Sequence, residues 1–194
     1  MDESNGYDRI AEIYINTRGR AVDGIGASTA RAWAQTLPAG SAILDLGCGT
    51  GIPVTRILLA AGLNVYAVDA SPKMVADFRQ NFPHVPVACE SVERSLFFNR
   101  RFDGIISVGL LFLLPEENQR VLIPKMAAAL HPGGKLLFTA PIDKVEWKDI
   151  MTEQLSRSLG AEQYRALMLA SGLSIGEELD DEGGNHYFCG VRVS

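Results

Sequence analysis

Ile43-Leu44-Asp45-Leu46-Gly47-Cys48-Gly49-Thr50-Gly51-Ile52-Pro53, ILDLGCGTGIP, decides how the rest of this chain is read. Three of its first four residues are apolar, as in a buried strand. Three alternating glycines then form a turn, and Pro53 sits where a helix begins, a place at which its missing N–H costs nothing. In a strand–turn–helix unit such glycines let the backbone approach a ligand closely. The spacing is Gly47-x-Gly49-x-Gly51, with Ile52 where a dinucleotide fingerprint needs its third glycine. No Gly-Lys-Ser/Thr follows, so the P-loop is excluded. Asp45 precedes the turn and no basic residue lies within it. A carboxylate there repels a pyrophosphate and suits a ligand with a positive amino group.

The pattern repeats outward from this stretch. Strands are predicted at 42–46, 64–68, 85–88, 102–108 and 135–140. Helices are predicted at 54–61, from the Ser71-Pro72 cap to Asn81, and at 116–130, with a short one at 91–96. His131 to Gly134 reads as a turn. The strands are nearly continuous apolar runs, which fits a parallel sheet covered on both faces. Upstream, Tyr7 to Arg20 and Ile25 to Leu37 read as helical. After a helical stretch from Trp147 to Ser171, two strands, 173–179 and 186–193, flank Gly183-Gly184-Asn185, turn chemistry that joins antiparallel partners. The expectation is a doubly wound α/β domain. It has a mostly parallel seven-stranded sheet of order 3-2-1-4-5-7-6, the last strand antiparallel. Residues 1–194 form one domain, with 1–38 as an N-terminal helical lid.

ILDLGCGTG resembles motif I of the class I S-adenosylmethionine-dependent methyltransferases. Val65 to Met74 is similar to that family's second strand and its acidic end. Phe102 to Ser107 resembles the fourth strand, and Leu130 to Leu136 the turn into the fifth. The resemblance implies S-adenosylmethionine as cofactor and a methyl transfer. It implies that Gly47, Cys48, Gly49 and Gly51 wrap the cofactor and that Asp45 lies near its amino group. Asp69 takes the ribose hydroxyls, and Ala70 and Met74 pack on adenine or ribose. Either Glu90 or Ser91 edges the adenine, a Val92 N–H serves the ring, and Ser107 ends the fourth strand beside the site.

Catalytic residues are less legible. Val108 to Leu114 carries no acid or base. Three stretches face the expected mouth: Tyr7, Tyr14 and Arg18; Asp143, Glu146 and Trp147; and the hairpin turn with Asp180, Asp181, Glu182, Asn185, His186 and Tyr187. Of these, His186, Tyr14 and Trp147 are the candidates for a catalytic role, against bland readings as paired strand, surface or core residues.

Bulk properties narrow the partners. The 194 residues are 47% hydrophobic with a formal net charge of −5. That gives no electrostatic reason to expect nucleic acid or an anionic membrane. The longest apolar run, 105–114, is short of the roughly 20 residues a span requires. Cys48, Cys89 and Cys189 have neither disulfide-framework nor metal spacing. A small-molecule acceptor, no metal and a cytoplasmic setting are expected. The runner-up is a cofactor-binding domain that acts as a regulator without catalysis.

Overall fold

The computed structural model describes residues 3–193. Ten strands and six α-helices follow one another among these described residues. They are α1 (Ala11–Thr17), α2 (Ala27–Ala34), β1 (Ala42–Leu46), α3 (Val54–Ala60), β2 (Asn64–Asp69), α4 (Pro72–Asn81), β3 (Val87–Cys89) and β4 (Phe102–Ser107). Then come α5 (Glu116–Ala128), β5 (Leu130–Thr139), β6 (Glu146–Lys148), β7 (Leu155–Arg157), α6 (Ala161–Ala170), β8 (Leu173–Ile175), β9 (Leu179–Asp180) and β10 (His186–Arg192). The main sheet runs β3-β2-β1-β4-β5-β10-β8. β1 is parallel to β2 and β4, β2 to β3, and β4 to β5. β10 is antiparallel to both β5 and β8.

β1 lies in the middle because it is apolar on both sides: Ile43, Leu44 and Leu46 are fully buried. Helices α2 and α3 cover one face, packing Ala30, Trp33, Ile57 and Leu58 on Ile43, Val65 and Ile106. Helices α5 and α6 cover the other, with Ile123, Met126, Tyr164 and Met168 against Phe138 and Phe188. The α2 packing is tight at Gly104, where a Cβ would stand 2.8 Å from the Trp33 ring. Trp33 thus makes α2 a covering helix of the sheet.

The expected strand order is present, with four corrections. The sheet has eight strands, because β9 pairs with β10 beside β8. Three residues, 176–178, lie between the pairs Gly190↔Ile175 and Tyr187↔Leu179, facing two on β10, and this bulge splits the expected strand. Residues 131–134 loop out as the expected turn, but within a strand that already begins at Leu130, since Phe102 faces Leu130 and Gly104 already faces Lys135. Ser91 starts a single turn, and left-handed backbone at Phe97, Phe98 and Asn99 stops any helix there. The stretch after Trp147 begins with an antiparallel hairpin, β6–β7, and only α6 is helical. The side chain of Asp149 explains that last difference. Its Oδ1 takes the N–H groups of Met151 and Thr152, bonds that compete with a helix.

Candidate active site

The C-terminal ends of the parallel strands open on a cavity of about 660 Å³. That falls within the roughly 300–1,000 Å³ of small-ligand sites. The turns after β1 and β2 form one end, with Gly47, Gly49, Asp69, Ala70 and Met74, and Ser91 and Val92 adjoin them. Val108, Leu110 and Phe112, from the segment after β4, form an apolar wall. Tyr7, Tyr14, Arg18 and Ile25 of the N-terminal segment line it too, as do Gly183 and Asn185 of the β9–β10 turn.

Asp69, at the end of β2, is held by two backbone N–H groups. Gly49 N–H donates to its Oδ2 and Ser71 N–H to its Oδ1, both at 2.8 Å. Burial raises the carboxyl above its ordinary range and these two bonds oppose that rise. Each oxygen keeps further acceptor capacity. Tyr14 feels this charge: burial first, then Asp69, pushes its hydroxyl pKa up, so it stays a donor.

The three glycines differ. At Gly49, φ is +53° and a Cβ would meet nothing within 4 Å. At Gly47, φ is +72° and a Cβ would reach Leu110 at 3.0 Å. At Gly51 a Cβ would lie 2.4 Å from the Phe82 ring, so this glycine serves the packing of α4 and does not line the cavity.

Other expected site residues stand elsewhere. Asp45 lies buried below the turn, where its Oδ2 accepts from Thr55 Oγ1 at 2.6 Å. Burial pushes its carboxyl up to about 7, against the pull of Thr55. Cys48 is buried, with its thiol pKa raised chiefly by that burial. Ser107 is fully buried and its Oγ has no partner. Asp45, Cys48, Gly51, Ser107 and Glu90 are all absent from the cavity lining, whereas Ser91 is part of it.

The catalytic candidates separate in the same way. Tyr14 lines the cavity. Trp147 packs on Phe112 with ring centroids 5.5 Å apart and stands behind it. His186 points away: its Nδ1 is 2.6 Å from Asp180 and its Nε2 2.9 Å from Glu178, which Arg165 also grips. These bonds tie His186 into the hairpin edge, so it is a paired strand residue. Among the described residues no cluster of His, Cys, Asp or Glu could hold a metal ion, and no helix is long and apolar enough to cross a membrane.

One residue the sequence reading passed over lines the cavity. Asp149, on the turn between β6 and β7, is 8% exposed. Its Oδ2 accepts from the Tyr7 hydroxyl at 3.2 Å. The Asp149-x-x-Thr152 spacing, a local side-chain turn, was the available signal.

The roof is pinned at several points. Asp8 Oδ1 accepts from Ser71 Oγ at 2.7 Å and Lys73 N–H at 3.0 Å. Thr50 Oγ1 donates to Gly19 O at 2.7 Å. Glu182 accepts from Gly26 N–H at 3.2 Å and Ser28 Oγ at 3.0 Å.

A glycine turn at the middle of a parallel sheet, an acid ending the next strand and a roofed cavity over both define a Rossmann-like nucleoside-binding domain. Residues 43–134 match the family described as a methyltransferase domain. That match spans a little under half of the chain and takes in the glycine turn, the acid that ends β2 and the strands up to the start of β5. It is 37% identical over 98 residues to a cypemycin N-terminal methyltransferase of Streptomyces sp., covering 49% of this chain and 40% of that protein. It is 31% identical over 105 residues to a ubiquinone biosynthesis O-methyltransferase of Coxiella burnetii, covering 52% and 43%. The chain therefore spans less than half the length of these two curated relatives. Among solved structures it resembles the CcbJ methyltransferase of Streptomyces caelestis, with 18% identity, full coverage of both chains (100%) and a TM-score of 0.79. A second is CalS10, an amino pentose methyltransferase of Micromonospora echinaspora solved with S-adenosylmethionine, with 19% identity, 95% and 97% coverage and a TM-score of 0.73. At such identities the likeness of the solved structures is one of fold.

Proposed function

We propose that this chain transfers a methyl group from S-adenosylmethionine to a small-molecule acceptor. The observation that carries the reading is Asp69, held by Gly49 and Ser71 at the edge of a cavity that runs on past the glycine turn. Its free acceptor sites suit a vicinal diol such as a ribose. Ala70, Met74, Ser91 and Val92 offer a flat, mostly apolar slot beside it, fit for adenine. Gly49 leaves open space above its backbone, fit for the aminoacyl arm. Asp45 supports the turn from below and influences that arm as a charge at a distance.

S-adenosylmethionine, when bound, supplies a methyl group already activated on a sulfonium. The chain's own task is to bind, align and exclude water. Val108, Leu110 and Phe112 give the dry wall, and the segment through Ile25 gives the roof. The names of the similar proteins, an amino pentose methyltransferase among them, fit an acceptor of modest size. The segment through Gly26 acts as the lid, while α2 belongs to the sheet. Three free cysteines fit a reduced, cytoplasmic setting.

Titration calorimetry with S-adenosylhomocysteine and, separately, with NADH tests this reading. Micromolar binding of the first and none of the second is expected; the reverse would end it. A domain that binds the cofactor without catalysis has one observation in its favour, the apolar run after β4, and any methylated product rules it out.

A further inference from the structure

The cavity contains one buried carboxylate that the cofactor reading does not use. Asp149 Oδ1 is saturated by Met151 N–H at 2.9 Å, Thr152 N–H at 2.8 Å and Thr152 Oγ1 at 3.2 Å. Its Oδ2 has a single long bond, from Tyr7. Among the described residues no Lys, Arg or His pairs with it. A carboxylate this buried is costly without a cation beside it. Among the described residues that line the cavity, the only basic side chain, Arg18, is itself solvent-exposed. Burial, followed by the charge of Asp149, pushes the Tyr7 hydroxyl pKa upward, so Tyr7 donates and does not take protons.

We infer that Asp149 binds the methyl acceptor and that the acceptor is an amine on an apolar body. The inference rests on the methyltransferase reading for the word acceptor, and on Asp149 alone for the word amine. Phe112 and Val108 supply apolar surface on the same cavity for the body of the molecule. An ammonium group gives Oδ2 the cation it lacks, with a charge-assisted bond. In the proton step an N–H bond of the ammonium breaks and an O–H bond forms on Asp149 Oδ2. The nitrogen keeps the electron pair and becomes a nucleophile. A hydroxyl acceptor leaves the charge of Asp149 unmatched.

The test compares two probes of one shape, phenethylamine and 2-phenylethanol, by calorimetry on the protein saturated with S-adenosylhomocysteine. The amine should bind about tenfold or more tighter than the alcohol, as a charge-assisted bond predicts. Asp149→Asn should bring the two within about twofold while S-adenosylhomocysteine affinity and melting temperature hold. Tyr7→Phe, which frees Oδ2 of its one bond, should widen the amine preference, and an unchanged or smaller preference overturns the inference if Asp149→Asn does not fold. Equal binding of the probes, no binding of the amine, or a preference that survives Asp149→Asn overturns the inference. If S-adenosylhomocysteine itself does not bind, the cofactor reading falls. The same pair of titrations on the ligand-free protein then still decides whether Asp149 selects an amine.

Discussion

Gly49 and Gly51 look alike in the sequence and have opposite tasks. Both have positive φ, so an alanine at either costs about 1–2 kcal/mol of backbone strain. At Gly51 the new methyl also collides with Phe82 and Phe78, which adds about 1–3 kcal/mol of overpacking. Gly51→Ala should therefore lower the urea midpoint clearly more than Gly49→Ala. Gly49→Ala should instead weaken S-adenosylhomocysteine binding, since its methyl enters the open side of the turn. Equal midpoints would refute this division of labour. Asp69→Ala strands the Gly49 and Ser71 donors and removes the proposed diol acceptor. We expect about a 10- to 100-fold loss of S-adenosylhomocysteine affinity by calorimetry. Asp45 makes a prediction about pH. Its carboxyl titrates near 7 when folded, through burial, against about 3.9 in an unfolded chain. The folded state thus holds the proton longer. The stability linked to Asp45 is fully present below pH about 4 and is lost as pH rises to about 7. Asp45→Asn carries no charge and still accepts from Thr55. Urea unfolding at several pH values should show wild type falling over that window and the variant staying flatter. Parallel curves would show that Asp45 does not govern it.

The parts of the fold that were legible are those whose signal is local. α4 begins where Ser71-Pro72 says it must, with Ser71 Oγ accepting from Met74 N–H at 3.2 Å. β1, β2 and β4 follow their apolar runs to within a residue or two. The β6–β7 hairpin was not legible. Its two strands are three residues each, too short for a period, and Asp149 turns the chain through its own side chain. The lining was legible where glycines and acids mark strand ends, as at Gly49 and Asp69. It was not legible where tertiary packing decides, as with His186, which the register places opposite Asp180. Ser71 shows how a helix cap can serve a second element: it caps α4 and also donates to Asp8 of the N-terminal segment. Ser71→Ala should cost about 1–2 kcal/mol in urea unfolding. It should also raise deuterium uptake around Asp8, whereas uptake unchanged there would mean that this segment is held by other contacts.

The molecule as a whole is a sheet with a roof, and the roof is tied to both ends of the sheet. Asp8 fastens it to α4, beside β2, and Glu182 fastens it to the turn that precedes β10. A ligand in the cavity therefore touches groups drawn from the N-terminal segment, the glycine turn, the segment after β4 and the β6–β7 turn at once. The polar groups Asp69, Asp149 and Tyr7 are already held by protein hydrogen bonds, so binding adds contacts without ordering much chain. Ligand binding should then stabilise the fold by plain mass action, about 2.7 kcal/mol at a hundredfold excess over the dissociation constant. For a chain of this size each kcal/mol moves the melting temperature by about 2–4 °C, so a shift of roughly 5–10 °C is expected. S-adenosylhomocysteine should produce that shift in a calorimetric melt, and NADH at the same concentration should not. Asp69→Ala should remove about half of it or more. Asp149→Asn should leave it intact, because Asp149 is assigned to the acceptor. A shift lost equally in both variants would mean that the cavity unfolds as one cooperative unit, with no separate cofactor and acceptor ends.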